Sequence, residues 1–591
     1  MRSKTMRQHK DGVMGYLKTF EPRTDIFEFD GRAETELKVP TNPEAYKDLE
    51  IENIARQVYG AINREQGDAK SVDKNYIQGI FHNPISDLSE ILARQETITE
   101  LQEDRQLWDQ VLNVKRVADR FLYSEDHELN EWEGLSQLDK SCKLVELVSS
   151  IGQMKMPKTP RLKRTKELGD TINSDPRFKE AKKFFTQLYI PYELTKTFFE
   201  NCKALDHSQD VKSKRKFYSG NRMFYEAVQK LLTEDKFKGF VNDEANGLNL
   251  NEKVREKVDG LHEAVFGFKG DDSYECRRWI ENEGKKYWEL LNYCAELLNQ
   301  AVDCRVPKVE LGNLSAELGF YLGAAKLQRF WKAKGIPVTN PILFDKRERR
   351  ASIINSRNTS LVEKLDATKV VPNDIISDPD NNLFVITGPN NGGKTTYIRQ
   401  VGQNYWLAHI GMALPAQSAE LSFVDGIFTS FNTEDSTKDG TGLYLTELKR
   451  ISQFTRPKNG GARMSPYSLV FFDEFANGTD HDESVLRTKV VLDHLSQIGV
   501  TSYFTTHKHE IAEYVEAGKL PGAINLASEV SMNGQGFITT HRILRNSKEQ
   551  SYGNFQAEAI GITPESLRSS LESEIASGLY PLEDTRMGGR K

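Results

Sequence analysis

Long hydrophobic runs are missing from this chain. None approaches the ~18 apolar residues that a bilayer-spanning helix needs, and the basic start MRSKTMRQHKDG lacks the apolar stretch of a secretory signal. Cysteine is scarce. The five present (Cys142, Cys202, Cys276, Cys294, Cys304) form no C-x-x-C pair and are odd in number. That argues against a zinc ribbon or a disulfide framework and for a reduced compartment. The expectation is a cytoplasmic protein with no membrane partner. Internal repeats and low-complexity segments are absent too, which argues against solenoids and tails. Excess positive charge is also lacking. The net charge is −6, so the overall balance carries no nucleic-acid signal.

The distribution of charge says more. Residues 151–216 hold 16 Lys/Arg against 8 Asp/Glu, a basic island of +8 in a chain otherwise at −14. Its densest parts are Lys155–Lys166 and Lys212–Lys216. Such an island is either a phosphate-backbone contact or a solvated helix face. With 591 residues, 28% of them charged, and a mean hydropathy of −0.58, the chain has room for several cores.

In chain order, the first 75 residues are mixed, with Phe27–Asp30 strand-like and Pro43–Gly60 helical. From Ile77 the pattern turns helical, and Ser86 is a candidate cap for the helix after Asn83-Pro84. Helical periodicity continues through Leu101–Leu122 and Leu135–Ile151. Pro157, Pro160, Pro176 and Pro191 cut the basic island into short pieces. Residues 217–300 read as helix, with aromatics such as Phe217, Phe224, Trp279 and Trp288 expected in a core rather than stacked on bases. Leu311–Lys334 is a further helix, ended by Gly335-Ile-Pro337. Beyond it, strand-like runs at Leu383–Thr387, Ile427–Phe431, Ser468–Phe472 and Thr501–Thr505 alternate with helical ones, as in an α/β nucleotide-binding domain.

The chemistry concentrates in that second part. Leu383–Thr387 leads into Gly388-Pro389-Asn390-Asn391-Gly392-Gly393-Lys394-Thr395-Thr396 and then a helical pattern. This is the phosphate-binding loop G-x-x-x-x-G-K-[ST] in its required strand-to-helix setting. Glycines let backbone N–H groups turn toward phosphate oxygens, and the helix N-terminus favours negative charge. Lys394 would reach the β- and γ-phosphates, and the Thr395 hydroxyl would hold Mg²⁺. The run Ser468–Phe472 then delivers Asp473 and Glu474 at a strand end, where α/β sheets build their sites. Asp473 is a candidate Mg²⁺ holder, and Glu474 a candidate base for the attacking water. A third strand, Tyr503–Thr506, ends at His507, a candidate sensor of the γ-phosphate. ATP and Mg²⁺ are the cofactors expected, with Lys394, Glu474 and His507 as the catalytic set.

These motifs in this order resemble the MutS family of DNA mismatch-repair ATPases. The likeness runs through Thr387–Gln400, Ala408–Ala416 (AHIGMALPA), Glu434-Asp435-Ser436, Leu469–Thr479 (LVFFDEFANGT), Phe504–His507, Ser551-Tyr552-Gly553 and Ala557–Ile562. Asn83–Gln95 resembles the start of that family's helical core. The resemblance implies a multidomain α and α/β fold, with a long helical core bearing lever and clamp before an ABC-type P-loop NTPase domain. The corresponding divisions are 1–75, 76–335, 336–570 and a tail at 571–591. It also implies a homodimer that closes around duplex or branched DNA, ATP sites completed across the interface, and a downstream repair partner.

Three departures accompany the likeness. Asn391 stands where the family usually has Met, and Thr395 where it usually has Ser. In the stretch expected to complete a partner's site, Gly442 falls where the family has Ser, with Thr441 as the substitute at hand. Too few residues precede the helical core for the domain that wedges a Phe-x-Glu motif into mismatches, and Phe224-Tyr225-Glu226 lies in the helical middle. The expectation is therefore a member without mismatch recognition, acting in repair or recombination. The alternative is an ATPase that remodels a ribosome or another nucleoprotein assembly. A chromosome-organising tether would need long heptad runs, which the prolines at 157–191 interrupt.

Overall fold

The computed structural model describes residues 38–66, 73–122, 133–179, 182, 308–431, 443–456, 463–533, 536–545 and 563–579. Expectations for Phe27–Asp30, Lys212–Lys216, 217–300, Phe224–Glu226, Glu434–Ser436, Thr441–Gly442 and Ser551–Ile562 lie outside them. No helix among the described residues is long and apolar enough to cross a membrane. The chain divides into two compact units. One takes in residues within Ile62–Tyr76 and Thr99–Leu322, and the other Gly323–Lys591 with residues within Arg23–Ala61 and Ile77–Ile98.

In the first unit, helices α1 (Arg105–Leu122), α2 (Glu133–Gln153) and α3 (Pro160–Ser174) run up, down and up. Gln110 pairs with Gln153 and Asn113 with Ser150, so α1 and α2 are antiparallel. Asn173 donates to Val148 O and Lys166 to Gly152 O, which makes α2 and α3 antiparallel as well. Gly169 is required by this packing, because a Cβ there would lie 2.3 Å from Ile151 Cγ2. Lys115 and Asp119 form a buried ion pair joined by the Ser315 hydroxyl. Such a pair specifies helix register more than it adds stability.

Much of the described basic island is committed within the fold. Lys155 pairs with Asp104, Arg161 with Glu317, and Lys166 is buried on Gly152 O and Asp170. Lys155, Lys158, Lys163, Arg164 and Lys179 are the exposed cations among the described residues of the island. Pro160 opens α3 rather than breaking it, since the first helical position needs no N–H.

The second unit holds two sheets. Strands β1 (Ile342–Phe344), β2 (Ala351–Ser356), β3 (Asn373–Ser377), β4 (Leu383–Thr387), β5 (Ser418–Ser422), β6 (Ile427–Phe431), β7 (Leu469–Asp473), β8 (Thr501–Thr505), β9 (Ala523–Asn533) and β10 (Gly536–Arg545) arrange as β1-β5-β2-β3 and β10-β9-β4-β8-β7-β6. In the larger sheet β9, β4, β8, β7 and β6 are parallel, and β10 returns antiparallel on β9. The four strands expected from the sequence are adjacent in it, running β4-β8-β7-β6 to the edge. They are buried at nearly every position because both faces are covered, with hydroxyl residues interrupting the apolar run in β6 and β8. Phe384, Phe471 and Tyr503 stack on one face, while Val385, Phe472 and Phe504 pack on the other.

N-terminal residues complete this unit. Ile427 N–H donates to Pro40 O, and Asn42 exchanges hydrogen bonds with both backbone groups of Thr429, so edge strand β6 is capped rather than open. Pro43–Gly60 is helical in two pieces, Ala45–Asp48 and Ile51–Gln66, broken where Glu50 turns to φ +57°. The helix Leu88–Glu103 is capped by Asp87, which accepts from the N–H groups of Ser89 and Glu90, and not by Ser86.

Candidate functional site

The strand order β4-β8-β7 sets the geometry of the site. It brings the C-terminal ends of three strands side by side, although they are distant in sequence. After β4 the chain turns through Gly388–Gly393 into α4 (Lys394–His409). Gly388 and Gly393 take φ of +138° and +93°, and a Cβ on Gly392 would lie 2.5 Å from Ser528 Oγ and 2.9 Å from Pro389 O. Each glycine is thus needed for the curl. Asn391 also takes a positive φ, +62°, with an exposed side chain. Asn adopts this region more readily than most side chains, which accounts physically for the departure at that position.

Lys394 is buried and donates to Gly388 O at 2.9 Å and Pro389 O at 3.1 Å, its Nζ lying 3.3 Å from His507 Nε2. Thr395 Oγ1 donates to Asp473 Oδ1 at 2.9 Å. Thr396, the third residue of the helix, receives Asn358 Nδ2 on its carbonyl. At the end of β7, Asp473 also accepts from Thr505 Oγ1 at 2.6 Å. Burial pushes the Asp473 carboxyl above its usual range, opposed by those two hydroxyls. Glu474 shares a 2.5 Å contact with His507 Nε2 through Oε1, and its Oε2 accepts from Asn477 Nδ2. The His507 bond holds Glu474 below the ordinary carboxylate range despite partial burial. Every residue of the expected set that is described therefore meets at one place: Lys394, Thr395, Asp473, Glu474 and His507.

Chemically, a deep ammonium, a hydroxyl–carboxylate pair and an oriented ionised carboxylate fit a phosphate chain with a hard cation. Hard cations take oxygen ligands, which Thr395 and Asp473 supply. A glycine curl that opens into a helix N-terminus beside a buried lysine has the form of an anion cradle. A Cβ on Gly393 would meet His541 at 3.5 Å and one on Gly388 would meet Ser528 at 2.6 Å, so these two side chains wall the curl.

Several participants were not singled out by sequence reasoning. Thr505 lay inside a quoted motif but received no role, yet it bonds Asp473 and accepts the Glu474 N–H at 3.1 Å. Ser528 of β9 donates to Gly392 O and fixes the curl. His541 is at φ +60° and its carbonyl accepts from Asn373. Glu447 and Lys508, both buried, bond the backbone of Ala476 and Phe475. A buried carboxylate inside an amphipathic helix was the one available signal.

Residues 384–575 match the family profile described as MutS domain V. Relatives named DNA mismatch repair protein MutS include one from Caldicellulosiruptor bescii, 30% identical over 41% of this chain and 27% of its own length. Another, from Lactobacillus johnsonii, is 31% identical over 41% of this chain and 28% of its own. A third, from Lactobacillus delbrueckii subsp. bulgaricus, is 30% identical over 48% of this chain and 32% of its own. The matched region thus spans about a third or less of those relatives. This match and the motif order around it make residues 384–575 a domain of the MutS family, similar to domain V of those relatives.

Proposed function

We propose that this chain is a Mg²⁺-dependent ATPase whose nucleotide state governs its grip on duplex or branched DNA, as a homodimeric clamp in a repair or recombination process. The observation that carries the reading is the meeting of Lys394, Thr395, Asp473, Glu474 and His507 beside the Gly388–Gly393 curl. The printed name of the relatives, DNA mismatch repair protein MutS, supports DNA as the macromolecule.

In this reading N–H groups of the curl and of the first turn of α4 donate to phosphate oxygens. Lys394 gives up its two loop carbonyls for them and supplies positive charge where negative charge builds. Mg²⁺ would be held by Thr395 and Asp473, and when bound it neutralises charge on the phosphate oxygens. Glu474, ionised and gripped at both oxygens, takes the proton from the attacking water. His507 touches both Glu474 and Lys394, so it can report the γ-phosphate to the base. Hydrolysis would then reopen the clamp.

Glu474→Gln tests the reading. ATP turnover is expected to fall about 100-fold or more, with ATP still bound and a dimer trapped. Wild-type turnover in that variant would refute the assignment of the base. DNA is tested by titrating duplex and four-way junctions against salt, where a steep loss of affinity is expected. Absence of binding, or an ATPase rate indifferent to DNA, would remove the DNA part.

A further inference from the structure

The segment that carries Glu474 is an unusual piece of backbone. Glu474 and Ala476 both lie in the left-handed region, at φ +53° and +62°, on either side of buried Phe475. Neither is glycine, so the conformation persists only because its surroundings impose it. The groups that impose it come from four places outside the turn. Glu474 N–H is taken by Thr505, at the end of β8. Ala476 O accepts from Ser484 Oγ of α6 (His481–Ile498). Ala476 N–H donates at 3.1 Å to Glu447 Oε2, which arrives from α5 (Leu443–Thr455), and Phe475 O accepts from Lys508 Nζ at 2.8 Å.

The last two are a pair of opposite charges, both buried and electrostatically coupled. An isolated buried carboxylate or ammonium is costly, and here each offsets the other while gripping one side of the same turn. A neutral hydrogen bond would satisfy the backbone with less desolvation cost. The use of a buried ion pair instead gives the turn a stiff, charge-assisted hold. Ala476 is two residues from Glu474, so a shift there rotates the peptide from which the Glu474 carboxylate projects.

We propose that Glu447, opposed by Lys508, is a positioning residue that fixes the left-handed turn and thereby aims the Glu474 carboxylate. The inference rests on the ATPase reading above. Glu447 acts through the backbone, so its loss lowers turnover while leaving the nucleotide cradle, which follows β4 two strands from β7, intact. Misplacement of a reacting group by about 1 Å can cost 100-fold in rate.

The test uses the full chain as wild type, Glu474→Gln, Glu447→Gln and Glu447→Ala. Steady-state ATP turnover is measured beside equilibrium binding of a fluorescent ATP analogue. Glu447→Gln keeps an oxygen for the Ala476 N–H but removes the foremost of the carboxylates opposing Lys508, leaving Glu474 and Glu510, and kcat is expected to fall about tenfold. Glu447→Ala loses both and falls further, with analogue affinity in both variants within about threefold of wild type. Wild-type kcat in a folded Glu447 variant overturns the inference alone, as does a parallel loss of affinity and turnover. A wild-type chain with no turnover overturns the ATPase reading and this inference with it. Should Glu447→Ala fail to fold, Glu447→Gln decides on the same criterion.

Discussion

His507 Nε2 stands 2.5 Å from Glu474 Oε1 and 3.3 Å from Lys394 Nζ, so one imidazole bridges the candidate base and the candidate phosphate-binding cation. The two contacts come from strand order and not from sequence proximity. Since β8 lies between β4 and β7, the residue just past β8 must face those past both neighbours.

The first prediction follows from that bridge. His507→Ala leaves the glycine curl and the Thr395–Asp473 bond untouched but frees one oxygen of Glu474. Turnover is expected to fall about 10- to 100-fold with ATP affinity nearly unchanged. In a Glu474→Gln background the same substitution should add little, because coupled residues lose their effect together. Additive losses in that double variant would mean that His507 acts apart from Glu474.

A second prediction concerns the curl itself. A methyl on Gly392 meets Ser528 Oγ at 2.5 Å and the Pro389 carbonyl at 2.9 Å. Gly392→Ala should displace the loop, cost about 1–3 kcal/mol in stability, and weaken ATP binding at least about tenfold. Adding Ser528→Gly removes the first clash and leaves the second, so calorimetry should find partial recovery. Full retention of affinity in Gly392→Ala would contradict the required close approach.

How much of this was legible in the chain depends on which interactions leave a pattern. Leu383–Thr387 and Leu469–Phe472 could be read as strands because both faces are buried, which selects an unbroken apolar run. β3 (NDIIS) could not, because Asp374 and Ile376 share its exposed face and leave no polar–apolar alternation. The capping of β6 by Pro40 and Asn42 rests on one backbone bond and the two bonds of a single Asn amide, which leave no repeating pattern in the sequence. In the site, Lys394, Asp473 and Glu474 were legible because their chemistry needs those residue types at fixed distances from strand ends. Glu447 and Ser528 were not, since they act on backbone groups that almost any polar side chain could satisfy.

A third prediction divides the basic island. Lys166 is committed to Gly152 O and Asp170, whereas Lys158, Lys163 and Arg164 are exposed, Lys163 being only 3.8 Å from an equally exposed Glu167. If the island meets DNA, Lys158→Gln, Lys163→Gln and Arg164→Gln together should reduce the slope of log K against log salt by up to about three, near one per lost phosphate contact. Lys166→Gln should leave that slope alone and lower stability instead, by about 1–3 kcal/mol in urea unfolding. A slope change from Lys166→Gln and none from the triple variant would reverse the assignment.

The fourth prediction comes from His409, at the end of α4. Its ring is buried, lies 2.7 Å through Nδ1 from Ile85 O, and receives the Val424 N–H on Nε2 at 3.2 Å. A carbonyl can only accept, so Nδ1 carries the proton, and Nε2 must stay bare to receive Val424. The imidazole is therefore held neutral, and burial pushes its pKa down to about 4 from 6.5. With the folded pKa depressed, the unfolded chain binds the extra proton first. The contribution to stability is complete above about pH 6.5 and is lost progressively as pH falls toward 4, amounting to about 3 kcal/mol across that window. Glutamine offers an N–H and an oxygen on a similar reach but does not titrate. Chemical denaturation of wild type and His409→Gln at several pH values should give curves that converge near neutrality and separate in acid, with the variant the less pH-dependent. If both lose stability in parallel below pH 6.5, the acid sensitivity belongs to other groups and His409 is not its source.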